Sequence, residues 1–270
     1  MYLVSTRREL LDEDRTGPTT YWSLDVCQGC EDDSTRTKIE PGAFFDRFRQ
    51  KNVLVLVHGY NNEFGDVVRA YDTIEHKVAR FLDDWYDDVI GFTWPGGDNV
   101  LDWHAPKRRA GVIGPRLAQF IAQLGPKAYN IDLMSHSLGS RVTLKALSRV
   151  KPGAVRASFL MASAIDNESI EPGEKYFDAA KRGAEESVVF HSKHDGVLRT
   201  AYRIAEWDNA LGLYGPENPA EIGDRLPNVS VANCKHVIQA HGDYKDSDSV
   251  YRFIDDWMNG KIKSQFSTVR

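Results

Sequence analysis

A serine with small residues two positions before and after it, Ser137 in S-H-S-L-G, is the best-placed candidate for chemistry in this chain. A short run with apolar Ile131, Leu133 and Met134 precedes it, and a helical pattern that begins at Leu138 follows it. A strand, a sharp turn, a serine and a helix form a nucleophile elbow, which holds the serine above a sheet. Bulk at Ser135 or Gly139 would collide with the strand or the helix. The pattern predicts a nucleophilic serine, and the alternative is a serine that only caps the helix.

A serine hydroxyl attacks well only when a base removes its proton and an acid orients that base. Asp195 and His241 follow Ser137 in the chain in the order Ser, acid, His, which is a known order for such triads. Asp166 stays open as the acid, although it also fits a helix N-cap. His236 stays open as the base. His241 is favoured because its loop contains glycine and precedes the last predicted helix.

Apolar patterning predicts strands that alternate with helices. The unbroken run Asn52 to Val57 is typical of a strand inside a parallel sheet. The other predicted strands are Tyr2 to Ser5, Thr20 to Val26, Val89 to Thr93, Ile131 to Met134, Val155 to Ala162, Ser187 to Phe190 and Val229 to Ala232. Predicted helices cover 42–50, 67–85, 105–124, 138–150 and 248–258. This order predicts a three-layer α/β/α sandwich around a mostly parallel, doubly wound sheet, with the first two strands as an antiparallel edge.

The residues that directly follow the predicted strands carry most of the reactive side chains. They include His58, Ser137, Asp166, Asp195 and His241. Ligands of open parallel sheets bind at the carboxyl ends of the strands. We therefore expect one site at that edge, where a serine, histidines and acids converge.

Length and composition limit the classes of protein. With 270 residues, one domain over 1–270 is expected. The net charge of −5 argues against nucleic-acid binding. No apolar run approaches the roughly 20 residues that a membrane span needs, and Arg7 and Arg8 make the N-terminus unlike a signal peptide. Together with the small, odd number of cysteines, 3, these features predict a cytoplasmic protein.

Metal and redox sites are not expected. Cys27 and Cys30 form a C-x-x-C, which could be a redox pair or half of a zinc site, but no second half follows. Two reduced thiols are the favoured interpretation. His191 and His194 flank Asp195 without regular ligand spacing. The sequence therefore predicts no metal and no cofactor.

Seven short stretches, spread over nearly the whole chain, resemble the α/β-hydrolases. The likeness is greatest to a bacterial branch of poorly characterised serine hydrolases. The seven stretches are Y-L-V-S-T-R at 2–7, V-L-V-H-G-Y-N-N at 55–62, F-T-W-P at 92–95, S-H-S-L-G-S-R at 135–141, H-S-K-H-D at 191–195, L-G-L-Y-G-P at 211–216 and A-H-G-D-Y at 240–244. The resemblance implies the α/β-hydrolase fold and hydrolysis of a small-molecule acyl substrate, most simply a carboxylic ester. The alternative is a non-catalytic binding protein of the same fold. Ester, thioester and amide substrates, and the oligomeric state, stay open.

The resemblance also implies an oxyanion hole. Its donors would be the backbone N–H groups of Leu138, at the start of a helix, and of Tyr60, after His58-Gly59. His58 is then expected to be structural, and His136 to pack behind the elbow strand. Two interpretations stay open for Trp94, an acyl pocket or a core plug. A group of later side chains also has two open interpretations, as a cap over the site or as buried packing against the sheet. These side chains are Tyr202, Trp207, Leu211, Leu213 and Tyr214.

Overall fold

A ten-stranded sheet forms the centre of the described chain, which comprises residues 1–25, 35–60, 63–97 and 104–270 of a computed structural model. The strand order is β10-β9-β8-β7-β6-β4-β5-β1-β2-β3. The strands are β1 (Tyr2–Arg7), β2 (Thr16–Asp25), β3 (Thr35–Ile39), β4 (Asn52–Val57), β5 (Asp88–Thr93), β6 (Asn130–His136), β7 (Ala157–Met161), β8 (Glu186–His191), β9 (Val229–Asn233) and β10 (Phe266–Thr268). The C-x-x-C motif of Cys27 and Cys30, interpreted above as two reduced thiols, lies outside the described residues, as do Asn61 and Asn62.

The sheet is mostly parallel. Strand β4 pairs in parallel with β5 and β6, and the parallel pairing continues through β7, β8, β9 and β10 on one side and through β1 on the other. Among the described strands, antiparallel pairing occurs only between β1 and β2 and between β2 and β3, and β2 and β3 extend the sheet beyond β1. The predicted fold class is confirmed, including the antiparallel edge.

Helices cover both faces of this sheet. They are α1 (Pro41–Asp46), α2 (Phe64–Phe81), α3 (His104–Leu124), α4 (Gly139–Leu147), α5 (Phe177–Arg182), α6 (Arg203–Glu206), α7 (Leu211–Tyr214), α8 (Pro219–Arg225) and α9 (Asp248–Met258), and a π-helical turn at Leu198–Tyr202 leads into α6. None of these helices has the length and apolar character that a membrane crossing requires.

Strand β4 explains the three layers. Its side chains alternate between two separate hydrophobic clusters. Val53 and Val55 pack with α1, α3, α4 and α5 on one face. Leu54 and Leu56 pack with α2 and α9 on the other. A strand that is buried on both faces needs apolar residues at every position, which is why its sequence is unbroken aliphatic.

Several elements differ from the sequence predictions. The strands β3 and β10 were not predicted, because Thr35–Ile39 and Phe266–Thr268 are short, mostly polar edge segments. The predicted helix over 42–50 ends at Asp46. Helix α3 continues through Pro115, since its buried face, with Ile113 and Leu117, outweighs the hydrogen bond that proline removes.

Candidate active site

Ser137 lies in a sharp turn between β6 and α4. Its φ of 55° is in the left-handed region, which a non-glycine residue rarely adopts. Backbone hydrogen bonds hold it there: the Ser137 N–H donates to Met161 O over 2.9 Å, and the Ala164 N–H donates to Ser137 O over 3.2 Å. The strained backbone is therefore fixed from the neighbouring strand, as the strand–turn–helix pattern predicted.

Small residues on either side of Ser137 allow this turn. A Cβ on Gly139 would lie 2.4 Å from the carbonyl oxygen of Val57, so only glycine lets α4 start against the end of β4. Ser135 is buried, and its Oγ lies 3.3 Å from Oγ of Ser140. Serine thus fits the first small position and gains a hydrogen bond there.

Asp195 and His241 contact each other directly. The Nδ1 atom of His241 lies 2.7 Å from Oδ2 of Asp195. An ionised carboxylate only accepts, so Nδ1 carries the proton and Nε2 is left as the acceptor. The carboxylate is fully buried, and its Oδ1 accepts the N–H of Leu198 over 3.0 Å. The Ser192 hydroxyl donates to the carbonyl of Ile238 over 2.8 Å, which ties the acid loop to the histidine loop.

The alternative acid and base lie elsewhere. Asp166 accepts a 2.5 Å hydrogen bond from the hydroxyl of Tyr202. It does not cap a helix, since it pairs with Ala210 in an isolated β-bridge and the next helix begins at Phe177. His236 is exposed to solvent. The helix-cap interpretation of Asp166 is therefore wrong, because tertiary packing supplies a tyrosine partner that the local pattern does not reveal.

The chain after β4 approaches Ser137 closely. A Cβ on Gly59 would lie 2.8 Å from Cβ of Ser137 and 3.1 Å from the carbonyl oxygen of His136. Tyr60, the next residue, lines the same cavity as Ser137. In α4, the Ser140 N–H donates to Ser137 O over 3.0 Å, so the N–H of Leu138 precedes the hydrogen-bonded turns of the helix. Leu138 directly follows Ser137 in the chain and Tyr60 lines the same cavity, while their role as oxyanion donors stays a prediction.

His58 uses both ring nitrogens to hold this loop. Its Nδ1 donates to the Gly59 carbonyl over 2.9 Å, and its Nε2 accepts the backbone N–H of Trp94 over 3.1 Å. The Trp94 indole donates to the His58 carbonyl over 2.9 Å, and the rings stack 5.5 Å apart. Burial, followed by the charge of Arg7, lowers the pKa of His58 to about 3. This neutral histidine therefore connects the loop of residues 58–60 to the segment of residues 92–95. Trp94 is fully buried, so of its two interpretations the core plug applies.

His136 does not lie behind the strand, as its alternation with Ser137 suggested. It lines the cavity, and its Nε2 lies 2.8 Å from the carbonyl oxygen of His241. Burial, followed by the neighbouring His241, lowers the pKa of His136 to about 3, so the neutral ring donates this hydrogen bond from Nε2. The expectation failed because the histidine loop folds back over the end of β6.

A cavity of about 760 Å³ joins these residues, with Ser137 and His241 in its wall. Of the predicted cap residues, Tyr202 lines the cavity, whereas Leu211 and Leu213 are buried in the two cores. Trp207 is 92% exposed. Only part of the segment therefore covers the site.

No group of three or more histidine, cysteine or acidic side chains that could hold a metal occurs in the described parts of the chain. His191 is buried against Gly215, and the His194 N–H donates to the Ser192 hydroxyl. These two histidines take part in loop packing beside Asp195.

A family model described as "Alpha/beta hydrolase of unknown function (DUF900)" matches residues 32–254, which is most of the chain. This chain belongs to that family. The family assignment agrees with the parallel sheet and with the turn around Ser137 described above.

Individual relatives of this hydrolase are distant. An uncharacterized protein of Nostoc sp. is 20% identical over 77% of this chain and 73% of its own. A structure from Xanthomonas campestris, named for the alpha/beta hydrolase superfamily, has a TM-score of 0.45 at 17% identity and covers 77% of this chain and 99% of its own. The esterase structure from Pyrococcus furiosus has a TM-score of 0.41 at 14% identity and covers 90% of this chain and 84% of its own. Similarities this low carry no argument about substrate.

The site of this hydrolase includes contributions that the sequence did not indicate. The hydrogen bond from His136 to the His241 backbone and the apolar walls from α2 and the segment 197–206 come from distant parts of the chain. The helical period that includes Val67 and Ile74 was visible in the sequence, whereas Ala70 was not recognised as part of it. Nothing in that period distinguished a cavity wall from a core face.

Proposed function

We propose that this hydrolase cleaves carboxylic esters of small-molecule substrates by serine catalysis, with Ser137 as nucleophile, His241 as base and Asp195 as acid. The observation that carries this proposal is the 2.7 Å contact between His241 Nδ1 and the buried Asp195 carboxylate, on a cavity that also contains Ser137. A buried acid fixes the imidazole tautomer and stabilises the imidazolium that forms during attack.

In the proposed reaction, the Nε2 atom of His241 takes the proton of Ser137 as Oγ attacks the ester carbonyl. The C–O bond then breaks, the alcohol leaves with that proton, and the acyl group stays on Ser137. Water, deprotonated by His241, releases the acid. The backbone N–H groups of Tyr60 and Leu138 would stabilise the oxyanion, and each such donor is typically worth about 10²- to 10³-fold in kcat.

The direct test is covalent labelling with a fluorophosphonate probe, with the modified residue located by mass spectrometry. Labelling is expected at Ser137 and absent from Ser137→Ala. Ser148→Ala is the matched control, because that serine is exposed at the end of α4 and should leave labelling intact. Folded protein that is not labelled at Ser137 would overturn the proposal and favour a binding protein of the same fold.

The substrate bond is tested with matched ester, thioester and amide compounds that share one acyl group. Turnover is expected to be fastest with the ester, and Ser137→Ala should lose about 10⁴- to 10⁶-fold in kcat. Faster thioester cleavage would keep the serine mechanism and change the substrate. A cytoplasmic location stays a prediction from the sequence, resting on its few cysteines.

A further inference from the structure

The cavity at Ser137 has two helical walls with apolar side chains at helical spacing. Val67, Ala70 and Ile74 of α2 form one wall, at intervals of three and four residues. The other wall comes from the turn at Leu198–Tyr202 and from α6. Its apolar lining side chains are Val197, Leu198, Ala201, Ile204 and Ala205. Side chains at this spacing share one helix face, so each wall is a continuous apolar surface.

The cavity offers little to a cationic substrate. Lys245 is the only lysine, arginine or acidic residue among its described lining, and no carboxylate lies there. His58 and His136 are neutral, because burial lowers the pKa of each to about 3. A cationic group in this cavity would lose its hydration without gaining a counter-ion.

The apolar surface continues outside the cavity. Val197 is 48% exposed and Ile204 is 74% exposed, and both line the cavity mouth. Trp207, at the end of the same helical segment, is 92% exposed. Exposed apolar side chains that adjoin a cavity are typical of a binding surface for an apolar ligand. The volume of about 760 Å³ lies within the roughly 300–1,000 Å³ of ligand pockets.

We infer that the acyl group of the substrate is a long hydrocarbon chain, held between α2 and the segment 197–206, and that Ala70 and Ala201 leave the space it occupies. This inference rests on the proposed ester hydrolysis. In the reaction, the bond from Ser137 Oγ to the acyl carbon forms, the ester C–O bond breaks, and the alcohol leaves with the serine proton. Water later restores the serine and releases a fatty acid.

The first test is kcat/KM for p-nitrophenyl esters with acyl chains of increasing length. A rise of about fourfold is expected for each methylene group that the walls bury. A second series varies the alcohol and keeps the acyl group constant, and it should have the weaker dependence. A preference for acetyl over octanoyl esters, or a dependence on the alcohol chain alone, would overturn the inference.

The variant Ala70→Phe tests the wall, because a phenyl ring would fill the space between the helices. The ratio of kcat/KM for octanoyl over acetyl esters should fall at least about tenfold, since two or more methylene groups lose their contacts. Ala79→Phe is the matched control, on the same helix but exposed and away from the cavity, and it should keep the wild-type ratio. Ala201→Phe repeats the test at an exposed position, where folding is not at risk.

A binding measurement separates this inference from the proposed function. Ser137→Ala protein is titrated with butanoic, octanoic and dodecanoic acids by calorimetry. Tighter binding of the longer acids, weakened by adding Ala70→Phe, supports the apolar walls even if Ser137 of the wild type resists fluorophosphonate. If the wild type labels at Ser137 but the Ser137→Ala protein binds the three acids equally or not detectably, the chain-binding inference alone is overturned.

Discussion

The imidazole of His136 donates a hydrogen bond from Nε2 to the carbonyl oxygen of His241 over 2.8 Å, and the two ring centroids lie 4.6 Å apart. The residue directly before the proposed nucleophile thus holds the main chain of the proposed base. Asp195 fixes the same imidazole from its Nδ1 side. The position of His241 is therefore set both through its backbone and through its side chain.

We predict that His136 is a positioning residue. In His136→Phe a ring is kept but the donor is lost, so His241 should shift and kcat should fall by about 10²-fold, with KM little changed. His136→Gln keeps an N–H donor of similar reach and should recover most of kcat. Steady-state kinetics of purified, folded variants measure this, and equal loss in both variants would show that packing alone matters.

We predict that Asp195 and Asp166 respond differently to neutralisation. Asp195→Asn should lose about 10⁴-fold in kcat, because an amide favours the wrong tautomer of His241. Asp166→Asn keeps an oxygen that accepts from Tyr202, so it should lose about 1 kcal/mol of stability and keep turnover. Urea unfolding and kinetics of both variants test the pair. A large kinetic loss confined to Asp166→Asn would reassign the acid.

We predict that the loop after β4 acts through its backbone. Tyr60→Phe keeps the N–H and should change kcat by less than about tenfold, whereas loss of an oxyanion donor costs about 10²- to 10³-fold. Gly59→Ala should cost far more, because its Cβ would lie 2.8 Å from Cβ of Ser137. Should Tyr60→Phe lose 10²-fold or more, the phenol itself would be the donor.

We predict that the free energy of unfolding falls as the pH drops below about 6.5. His58 is buried and neutral in the fold, with its pKa lowered to about 3, whereas the unfolded chain binds a proton at the ordinary pKa of 6.5. Between pH 3 and pH 6.5 the unfolded state holds one more proton than the folded state. The contribution of His58 to the free energy of unfolding is therefore complete above pH 6.5 and is lost as the pH falls towards 3. Each such histidine adds a slope of about 1.4 kcal/mol per pH unit near pH 5.

The variant His58→Gln tests this origin of the slope. Urea unfolding at several pH values between 4.5 and 7 should give a shallower dependence than in the wild type, by about 1.4 kcal/mol per pH unit. His136 contributes in the same direction and remains in this variant. An unchanged slope would mean that the His58 ring is protonated in the folded protein.

We predict that chelators leave esterase activity unchanged, because the proposed steps use only side chains and water. Activity is compared before and after dialysis against EDTA. A loss that one divalent ion restores would contradict the prediction and require a metal in the reaction.

The sequence by itself determined the fold class and the elbow, because both depend on local patterns. An unbroken aliphatic run such as Asn52–Val57 requires burial on both faces, and a serine between small residues permits a turn at positive φ. The chain order also predicted which residues reach the carboxyl edge of the sheet. The contact of His241 with Asp195 agrees with that prediction, while their catalytic roles stay proposals.

Only the tertiary structure decided what lies opposite each of these residues. Asp166 looked like a helix cap, but its partner is Tyr202, 36 residues away. His136 looked buried behind the strand, but the histidine loop folds over it from 105 residues away. Such contacts depend on how separate loops pack, which no local periodicity encodes. The apolar walls of the cavity could not be recognised as such, since a helix face that lines a cavity has the same period as one that lines a core.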